Sequence, residues 1–399
     1  MSNARQNPYV GPRTFTREEG ERFFGRESEA RDLLARVISE RLVLFYAQSG
    51  AGKSSLLNTR LIPQLQASGF GVLPVGRVSG ALPGGGNPAD NIFVFNLLLS
   101  LDQSRGDPQR FSGMTLSHFL ARLTSPDGEQ YHYQAEHEAE TGEYESAPSV
   151  LIIDQFEEIV TTHLEYWPQR ADFFRQLDQA MAADPLLWVV LTLREDYIAA
   201  LEPYAYLLTD KLRARFSMQR MDYEAALEAI EQPARLGGRP FAPGVAQMLV
   251  DNLRQLRSQT PLSPPAAGGS SLPATGDSGG QPSAVGGPGL GQYVEPVQLQ
   301  VVCYQLWQNL TAKDPPNLTG LEDLSGFPPQ ITAADLATLG NVDTALAEFY
   351  EGTLRQTLAW FNQHSTPPPT PPRSGRGVRI SPLSVADALR AGGGGPGGE

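Results

Sequence analysis

The most constraining feature of the sequence is a glycine-rich turn, residues 50–54, with the sequence Gly-Ala-Gly-Lys-Ser. It follows the apolar run 42–46, which is typical of a buried parallel strand, and it opens a helical pattern. Glycine lets successive backbone N–H groups point at one anion, and a helix N-terminus adds a favourable dipole. In such a loop the lysine contacts the outer phosphates and the next hydroxyl binds Mg²⁺. The turn therefore predicts a phosphate-binding loop in which Lys53 and Ser54 have these roles.

The loop departs from the full pattern at one position, because Ala47 stands where the pattern begins with glycine. The match therefore rests on residues 50–54. A glycine-rich surface turn is the alternative interpretation, and the strand before it and the helix after it argue against that. The candidate nucleotide-binding residues of the loop are Gln48, Ser49, Gly50, Ala51, Gly52, Lys53, Ser54 and Ser55.

Acidic residues follow a second buried strand, residues 150–153. A phosphate-binding loop needs a carboxylate at a strand end to hold Mg²⁺, so Asp154 is the predicted second metal ligand beside Ser54. A glutamate just beyond the strand can orient or deprotonate the attacking water. We expect Glu158 in that role, with Glu157 as the open alternative. Solvated acids at an ordinary strand-to-helix corner would show the same pattern.

A third buried strand, residues 187–193, ends at Arg194. The carboxyl ends of parallel strands form the ligand-binding edge of such sheets. A guanidinium at this edge can contact the γ-phosphate and respond to its loss, so Arg194 is a predicted catalytic or sensing residue. The alternative is a surface ion pair with Glu195 or Asp196.

The order of the patterns predicts the fold class. Strands and helices alternate as far as residue 222, which indicates a parallel α/β sheet of the P-loop NTPase type, related to AAA proteins. The later patterns are helical, which predicts a separate all-α domain. The predicted strands are 42–46, 72–78, 150–153, 187–193 and 216–221; the predicted helices are 27–40, 55–65, 91–101, 116–123, 171–183, 223–231, 244–256, 296–310, 332–339 and 343–361.

Glycine and proline, 40 and 33 residues in all, are concentrated in two windows, 258–292 and 365–399. Such composition is typical of low-complexity, disordered segments. The predicted organisation is a lead segment, a nucleotide-binding domain, a helical domain with a disordered insert and a disordered tail. Their bounds are 1–25, 26–222 with an acidic excursion at 125–148, 223–363 with the insert 258–292, and 364–399.

Charge and composition exclude several classes of protein. The formal net charge of −13 argues against a nucleic-acid partner, and the single cysteine excludes an internal disulfide framework. The N-terminus lacks the apolar region of a secretory signal, and the apolar runs are far shorter than the ~20 residues that span a bilayer. We expect a cytoplasmic protein without a membrane partner.

Taken in order, these motifs resemble STAND NTPases, the signal transduction ATPases with numerous domains, and in particular the novel STAND NTPase class 1. The segments that carry the resemblance are 7–13 with 23–27, 48–55, 151–158, 191–196 and, more weakly, 295–300 with 306–307. The resemblance implies that Gly25 and Arg26 lie beside the adenine. It also places Pro296 near the adenine from the helical domain, although Val294 replaces the family's preceding glycine.

The resemblance further implies a switch that uses ATP, ADP and Mg²⁺. In this family ADP favours a closed form and ATP an open, often oligomeric form, with slow hydrolysis and control of an effector in bacterial defence or regulation. Partners are then the nucleotide, further copies of the chain and a separate effector or sensor protein. The alternatives are a non-catalytic nucleotide-binding scaffold, a truncated or frame-shifted product, and a DNA-acting AAA+ type ATPase, which the acidic charge disfavours.

Overall fold

The structure of the protein is a computed structural model. It describes residues 7–80, 91–104, 106–125, 128, 130–134, 147–255, 292–313, 329–339, 346–347, 349–355 and 357–358. Contacts divide the chain into two units, Met1–Tyr350 and Glu351–Glu399. In the second unit, residues 351–355 are helical. The predicted insert lies outside the described residues except for Gln292, and the predicted tail lies wholly outside them.

A five-stranded parallel sheet organises the first unit. In space its strands lie in the order Gly71–Val72, Ser149–Ile153, Leu187–Arg194, Leu42–Ala47 and Ala214–Met218, so most neighbours in the sheet are not consecutive along the chain. The central strands are almost entirely buried, which explains their continuous apolar runs. The strands of the sheet are β1 (Leu42–Ala47), β2 (Gly71–Val72), β5 (Ser149–Ile153), β6 (Leu187–Arg194) and β7 (Ala214–Met218), and a separate antiparallel hairpin consists of β3 (Leu123–Thr124) and β4 (His132–Tyr133).

Helices connect the strands. Those of the sheet region are α1 (Glu27–Ser39), α2 (53–67), α3 (Ile92–Leu101), α4 (Leu116–Leu120), α5 (Glu158–Thr161), α6 (Trp167–Ala183) and α7 (Ile198–Leu201). Short 3₁₀ turns lie at Arg17–Arg22, Pro108–Phe111, Leu164–Tyr166, Glu195–Tyr197 and Glu202–Leu207. None of the helices in the described part of the chain combines the length and hydrophobicity that crossing a bilayer requires.

The part of the chain after residue 222 is helical, as predicted. Its helices are α8 (Tyr223–Leu236), α9 (Val245–Gln255), α10 (Pro296–Lys313) and α11 (Ala333–Thr338). Two isolated bridges, Met221 with Val294 and Phe241 with Ile331, tie connecting segments together. These helices bury an apolar cluster that includes Cys303 and Trp307, apart from the two clusters on the faces of the sheet. The boundaries proposed for the domains stay a prediction.

The helix after the phosphate-binding loop is longer than predicted. Residues Lys53–Leu56 are α-helical, Leu57–Leu61 form a π turn and Ile62–Ala67 are α-helical again, as one continuous helix. The prediction that Pro63 would bend or end this helix is therefore only partly right. Proline has no N–H to donate to the helix. The wider π turn directly before it accommodates Pro63, and the helix continues.

Other differences concern element ends. The strand predicted at 72–78 is reduced to Gly71–Val72 and a bridge from Gly76 to Ile153. The helix predicted at 116–123 ends at Leu120, because the chain then enters the unpredicted hairpin. The helix predicted at 223–231 continues to Leu236, with Pro233 inside it. Most of the predicted acidic excursion, and much of the helix predicted at 343–361, lies outside the described residues.

The N-terminal segment packs against the helical cluster and against one of the two sheet clusters. Tyr9 is buried among the later helices and its hydroxyl donates to the carbonyl of Ile230 at 2.6 Å. Phe15, six residues on, is buried with the sheet and its N–H donates to Ser55 Oγ at 3.2 Å. A short stretch of chain therefore connects the helical cluster to the helix that carries the phosphate-binding loop.

Gly25 allows a close backbone approach between the N-terminal segment and the helical region. Its φ is +78°, and a Cβ added there would lie 2.2 Å from the carbonyl oxygen of Ala225 in α8. Side chains are strongly disfavoured at such φ values, and here the space is also filled by backbone, which cannot move aside easily. Glycine at this position is therefore required for packing.

We expect Gly25→Ala to destabilise the fold by about 3 kcal/mol or more, since backbone strain and a backbone clash add together. Gly69→Ala is the matched control, because Gly69 has a φ of +86° and open space around its Cβ position. Strain alone predicts a loss of about 1 kcal/mol there. Urea unfolding of both variants measures the difference, and equal losses would contradict the close approach at Ala225.

Candidate functional site

The glycine-rich turn adopts the backbone conformation that its sequence predicts. Gly50 and Gly52 have φ values of +75° and +97°, in the left-handed region, and Lys53 begins the helix directly afterwards. Alternation of left-handed and ordinary conformations turns neighbouring N–H groups to one side. The first N–H groups of the helix also lack partners within it. The turn is thus a concave set of donors at the end of β1.

A cavity of about 580 Å³ lies over this turn. It is bounded by the turn, the carboxyl edge of the sheet, the N-terminal segment and the start of α10. Most of the predicted site residues line it: Arg26, Ser49, Gly50, Ala51, Gly52, Lys53, Ser54, Ser55, Asp154, Glu157, Glu158, Arg194 and Pro296. Gln48 and Gly25 do not.

Lys53 is a half-buried cation that lines the cavity. The hydrogen bond found for its Nζ within the described part of the chain goes to the carbonyl oxygen of Ala47, at 3.2 Å. Burial lowers the pKa of this ammonium, and the charges of Glu157 and Asp154 offset only part of that effect. A phosphate in the cavity would supply the missing counter-charge.

Asp154 is a buried carboxylate that is 4% exposed, and two hydroxyls hold it. Ser54 Oγ donates to its Oδ2 at 2.9 Å, and the fully buried Thr192 Oγ1 donates to its Oδ1. Thr192 lies on β6, whose pairing with β5 puts Ile153 opposite Leu191. The two predicted metal ligands, Ser54 and Asp154, are therefore in direct contact at the edge of the sheet.

Arg194 and Glu157 meet beside Lys53. The N–H of Arg194 donates to Glu157 Oε2 at 3.3 Å, and its Nη2 donates to Asp196 Oδ2 at 2.8 Å. Its guanidinium also lies 5.5 Å from the ring centre of Tyr197. The ion pair with Asp196 was the alternative interpretation of this arginine, and it coexists with a place at the cavity wall. Arg194 Nε is buried without a partner among the described residues.

Two residues of the segment that follows β2 contact the carboxylate of Glu158. Ser79 Oγ donates to Glu158 Oε2, and Arg77 Nη1 lies 3.7 Å from Oε1. The sequence prediction did not identify either partner, because nothing in the local pattern distinguishes them from ordinary loop residues. Only the bridge between Gly76 and Ile153 brings them beside the acidic strand end.

Another part of the cavity wall is lined by apolar residues and arginines. Arg26 is buried, pairs with Glu29 and donates to the carbonyl of Ala51 at 3.3 Å. Apolar side chains of the N-terminal segment and of the later, helical part of the chain line it: Phe23, Phe24, Met221, Pro296, Val297 and Leu299. The cavity wall therefore combines these apolar side chains with the polar and charged groups of the glycine-rich turn and the acidic strand end.

Two further arginines at the wall share one acid. Glu19 accepts from Arg13 and from Arg22, the latter at 3.1 Å. The bond from Arg13, together with the other donors, lowers the pKa of Glu19 to about 2. The sequence prediction did not single out these residues, and their pairing fixes the local conformation of the N-terminal segment where it lines the cavity.

The family model of Novel STAND NTPase 1 matches residues 8–264, well over half of the chain. The chain belongs to this family. The matched range includes the phosphate-binding loop, the acidic strand end and Arg194. Pro296 lies beyond it, although it lines the same cavity. This STAND protein is a P-loop NTPase by family and by its parallel sheet.

Solved structures show a distant likeness. A Walker-type ATPase of Pyrococcus abyssi is 12% identical, with 90% of this chain and 80% of that chain covered at a TM-score of 0.45. The FIGL-1 AAA domain is 13% identical, with 86% and 88% covered at a TM-score of 0.38. Scores this low carry no argument about the site. A comparison with curated proteins gave no match.

The residues present fit a magnesium nucleotide. Among the described residues no group of three or more His, Cys, Asp or Glu side chains could hold a metal on its own. Mg²⁺ in phosphate sites usually takes one or two protein oxygens, waters and phosphate oxygens. Ser54 and Asp154 provide such a partial set beside Lys53, so these residues would hold the ion once phosphate completes it.

Gln48 and Gly25 differ from the other predicted contacts. Neither lines the cavity, and Gly25 acts through packing against Ala225 as described above. Gln48 Oε1 is buried without a partner in the described part of the chain. Thr192, in contrast, has a place in the site that sequence reasoning missed. A hydroxyl within an otherwise apolar strand was the available signal.

We expect Thr192→Val to weaken Mg²⁺-dependent nucleotide binding about tenfold, because Asp154 loses the donor that orients it. Val has nearly the same shape, and the fold should persist with a buried oxygen left unpaired. Thr192→Ser keeps the hydroxyl and should bind as the wild type does. Calorimetric titration with ADP in the presence of Mg²⁺ checks both, and equal affinities for the Val and Ser variants would refute the assignment.

Proposed function

We propose that this STAND NTPase binds ATP and ADP with Mg²⁺ in the cavity described above and hydrolyses ATP slowly. The observation that carries the proposal is the contact between Ser54 and Asp154, with the ammonium of Lys53 in the same cavity. A hydroxyl, a carboxylate and a lysine in this arrangement are what a magnesium triphosphate requires.

The proposed roles follow from position along the cavity. Residues 49–55 bind the phosphates through N–H groups and Lys53, while Ser54 and Asp154 hold Mg²⁺. Glu158 activates the attacking water, with Glu157 as the alternative, and Arg194 contacts the γ-phosphate. The adenine of the nucleotide lies against the part of the cavity wall that Arg26 and Pro296 line.

We also propose that the bound nucleotide controls the arrangement of the helical region. Val297 in α10 lies close enough that a Cβ on Gly50 would be 3.3 Å from its Cγ2. The start of α10 therefore packs directly on the phosphate-binding loop. A ligand shifts such an equilibrium only by contacting one arrangement better than the other, and a γ-phosphate beside Lys53 and Arg194 supplies that difference.

The proposed biological role is a cytoplasmic signalling switch in bacterial defence or regulation. In it the ATP state self-associates and acts on a separate effector or sensor protein. The formal net charge of −13 favours protein partners over nucleic acid. A nucleotide-binding scaffold without turnover is the alternative, and the glutamate variants below distinguish it.

Lys53→Ala should weaken binding of Mg²⁺-ATP and Mg²⁺-ADP about a hundredfold, because the variant removes the half-buried cation proposed to contact the phosphates. Lys211→Ala is the matched control, since Lys211 is an exposed lysine outside the cavity. Equilibrium binding of both nucleotides measures the change. Undiminished binding by the Lys53 variant would exclude the cavity as the nucleotide site.

Glu158→Gln should lower the rate of ATP hydrolysis about a hundredfold while leaving nucleotide affinity close to that of the wild type. Glu157→Gln should have the smaller effect on turnover. Single-turnover assays separate the two steps. The reverse order would assign the base to Glu157, and binding without turnover in the wild type itself would favour the scaffold.

A further inference from the structure

Arg77 is a cation fixed beside the metal-binding carboxylate but outside the cavity wall. Its backbone N–H donates to Ser100 Oγ in α3 at 2.9 Å. The preceding Gly76 accepts from the N–H of Asp154 at 3.0 Å and donates to the carbonyl of Ile152 at 2.8 Å. The backbone at Arg77 is thus anchored on both sides, next to the end of β5.

One guanidinium contacts three successive parts of the acidic segment. Arg77 Nη2 lies 3.5 Å from Asp154 Oδ2, which is the same oxygen that accepts from Ser54. Arg77 Nη1 donates to Gln155 Oε1 and lies 3.7 Å from Glu158 Oε1. The side chain is 39% exposed, so water reaches it and the contacts can be exchanged.

A permanent positive charge at this oxygen opposes the binding of a divalent cation there. Mg²⁺ on Ser54 and Asp154 would lie within a few Å of the guanidinium, and like charges at that range repel appreciably even in a water-rich environment. Arginine stays protonated at any usable pH, so the repulsion cannot be relieved by loss of a proton.

Asp154 has two hydroxyl donors besides Arg77. Thr192, which is fully buried, holds Oδ1, and Ser54 holds Oδ2 at 2.9 Å. Removing the guanidinium charge therefore leaves the carboxylate in place and removes the repulsion. Loss of the Arg77 charge should therefore strengthen Mg²⁺ binding.

We propose that Arg77 is a positioning residue that holds the acidic segment together when Mg²⁺ is absent and competes with Mg²⁺ for Asp154, so that it raises the Mg²⁺ concentration needed for nucleotide binding. The inference rests on the proposed nucleotide site and extends it. Nucleotide binding at this site then responds to the free Mg²⁺ concentration through a residue that does not line the cavity.

The test measures ADP binding by calorimetry across a series of free Mg²⁺ concentrations, without any turnover. Arg77→Gln should lower the half-saturating Mg²⁺ concentration about fivefold at ~50 mM salt, and the difference should shrink at ~0.5 M salt, where charges are screened. Arg77→Lys keeps the charge and should resemble the wild type. Arg215→Gln is the matched control, because Arg215 has similar exposure and pairs with Glu202 away from the cavity.

An unchanged or higher Mg²⁺ requirement in Arg77→Gln overturns the inference. An equal shift in Arg77→Lys also overturns it, since that result would assign the effect to lost packing instead of charge. In both cases ADP binding at saturating Mg²⁺ leaves the proposed function standing. A folded wild-type chain that binds no ADP at any Mg²⁺ concentration overturns the proposed function and this inference together.

Discussion

The hydrogen bond between Ser54 and Asp154 joins residues that are a hundred positions apart in the chain. It exists because β1 and β5 both run parallel to β6, so that the loop after one strand and the carboxylate after the other meet at the same edge. Thr192 on β6, the strand that both pair with, donates to the other carboxylate oxygen of Asp154. The positions of Lys53, Glu157 and Arg194 follow from the same pairing, since each lies next to a strand end.

The helical region encloses a site that the sheet alone would leave open. Val297 lies against the phosphate-binding loop, while Gly25 lets the N-terminal segment approach α8 at Ala225. Tyr9 and Phe15 bind that segment to both apolar regions. Any separation of the helices from the sheet would have to break these contacts.

Charge is distributed unevenly around the cavity. Lys53 and Arg194 line the cavity beside the acids of the strand end, while Arg77, which does not line it, contacts Asp154 and Glu158. The acidic segment is thus compensated by cations even before a metal arrives. Under the proposed function, Mg²⁺ would have to compete with these cations for the same carboxylates.

The sequence by itself determined the phosphate-binding loop, the order of the central strands along the chain and the acids at the end of β5. These are local patterns, because glycine conformation and buried apolar runs depend on neighbouring residues. It also indicated the helical second half. The contacts of Thr192, Arg77 and Ser79 with the acids, and the packing of Gly25 against Ala225, become visible only in the folded chain. Their significance arises from strand pairing and from contacts across the chain, which no local pattern records.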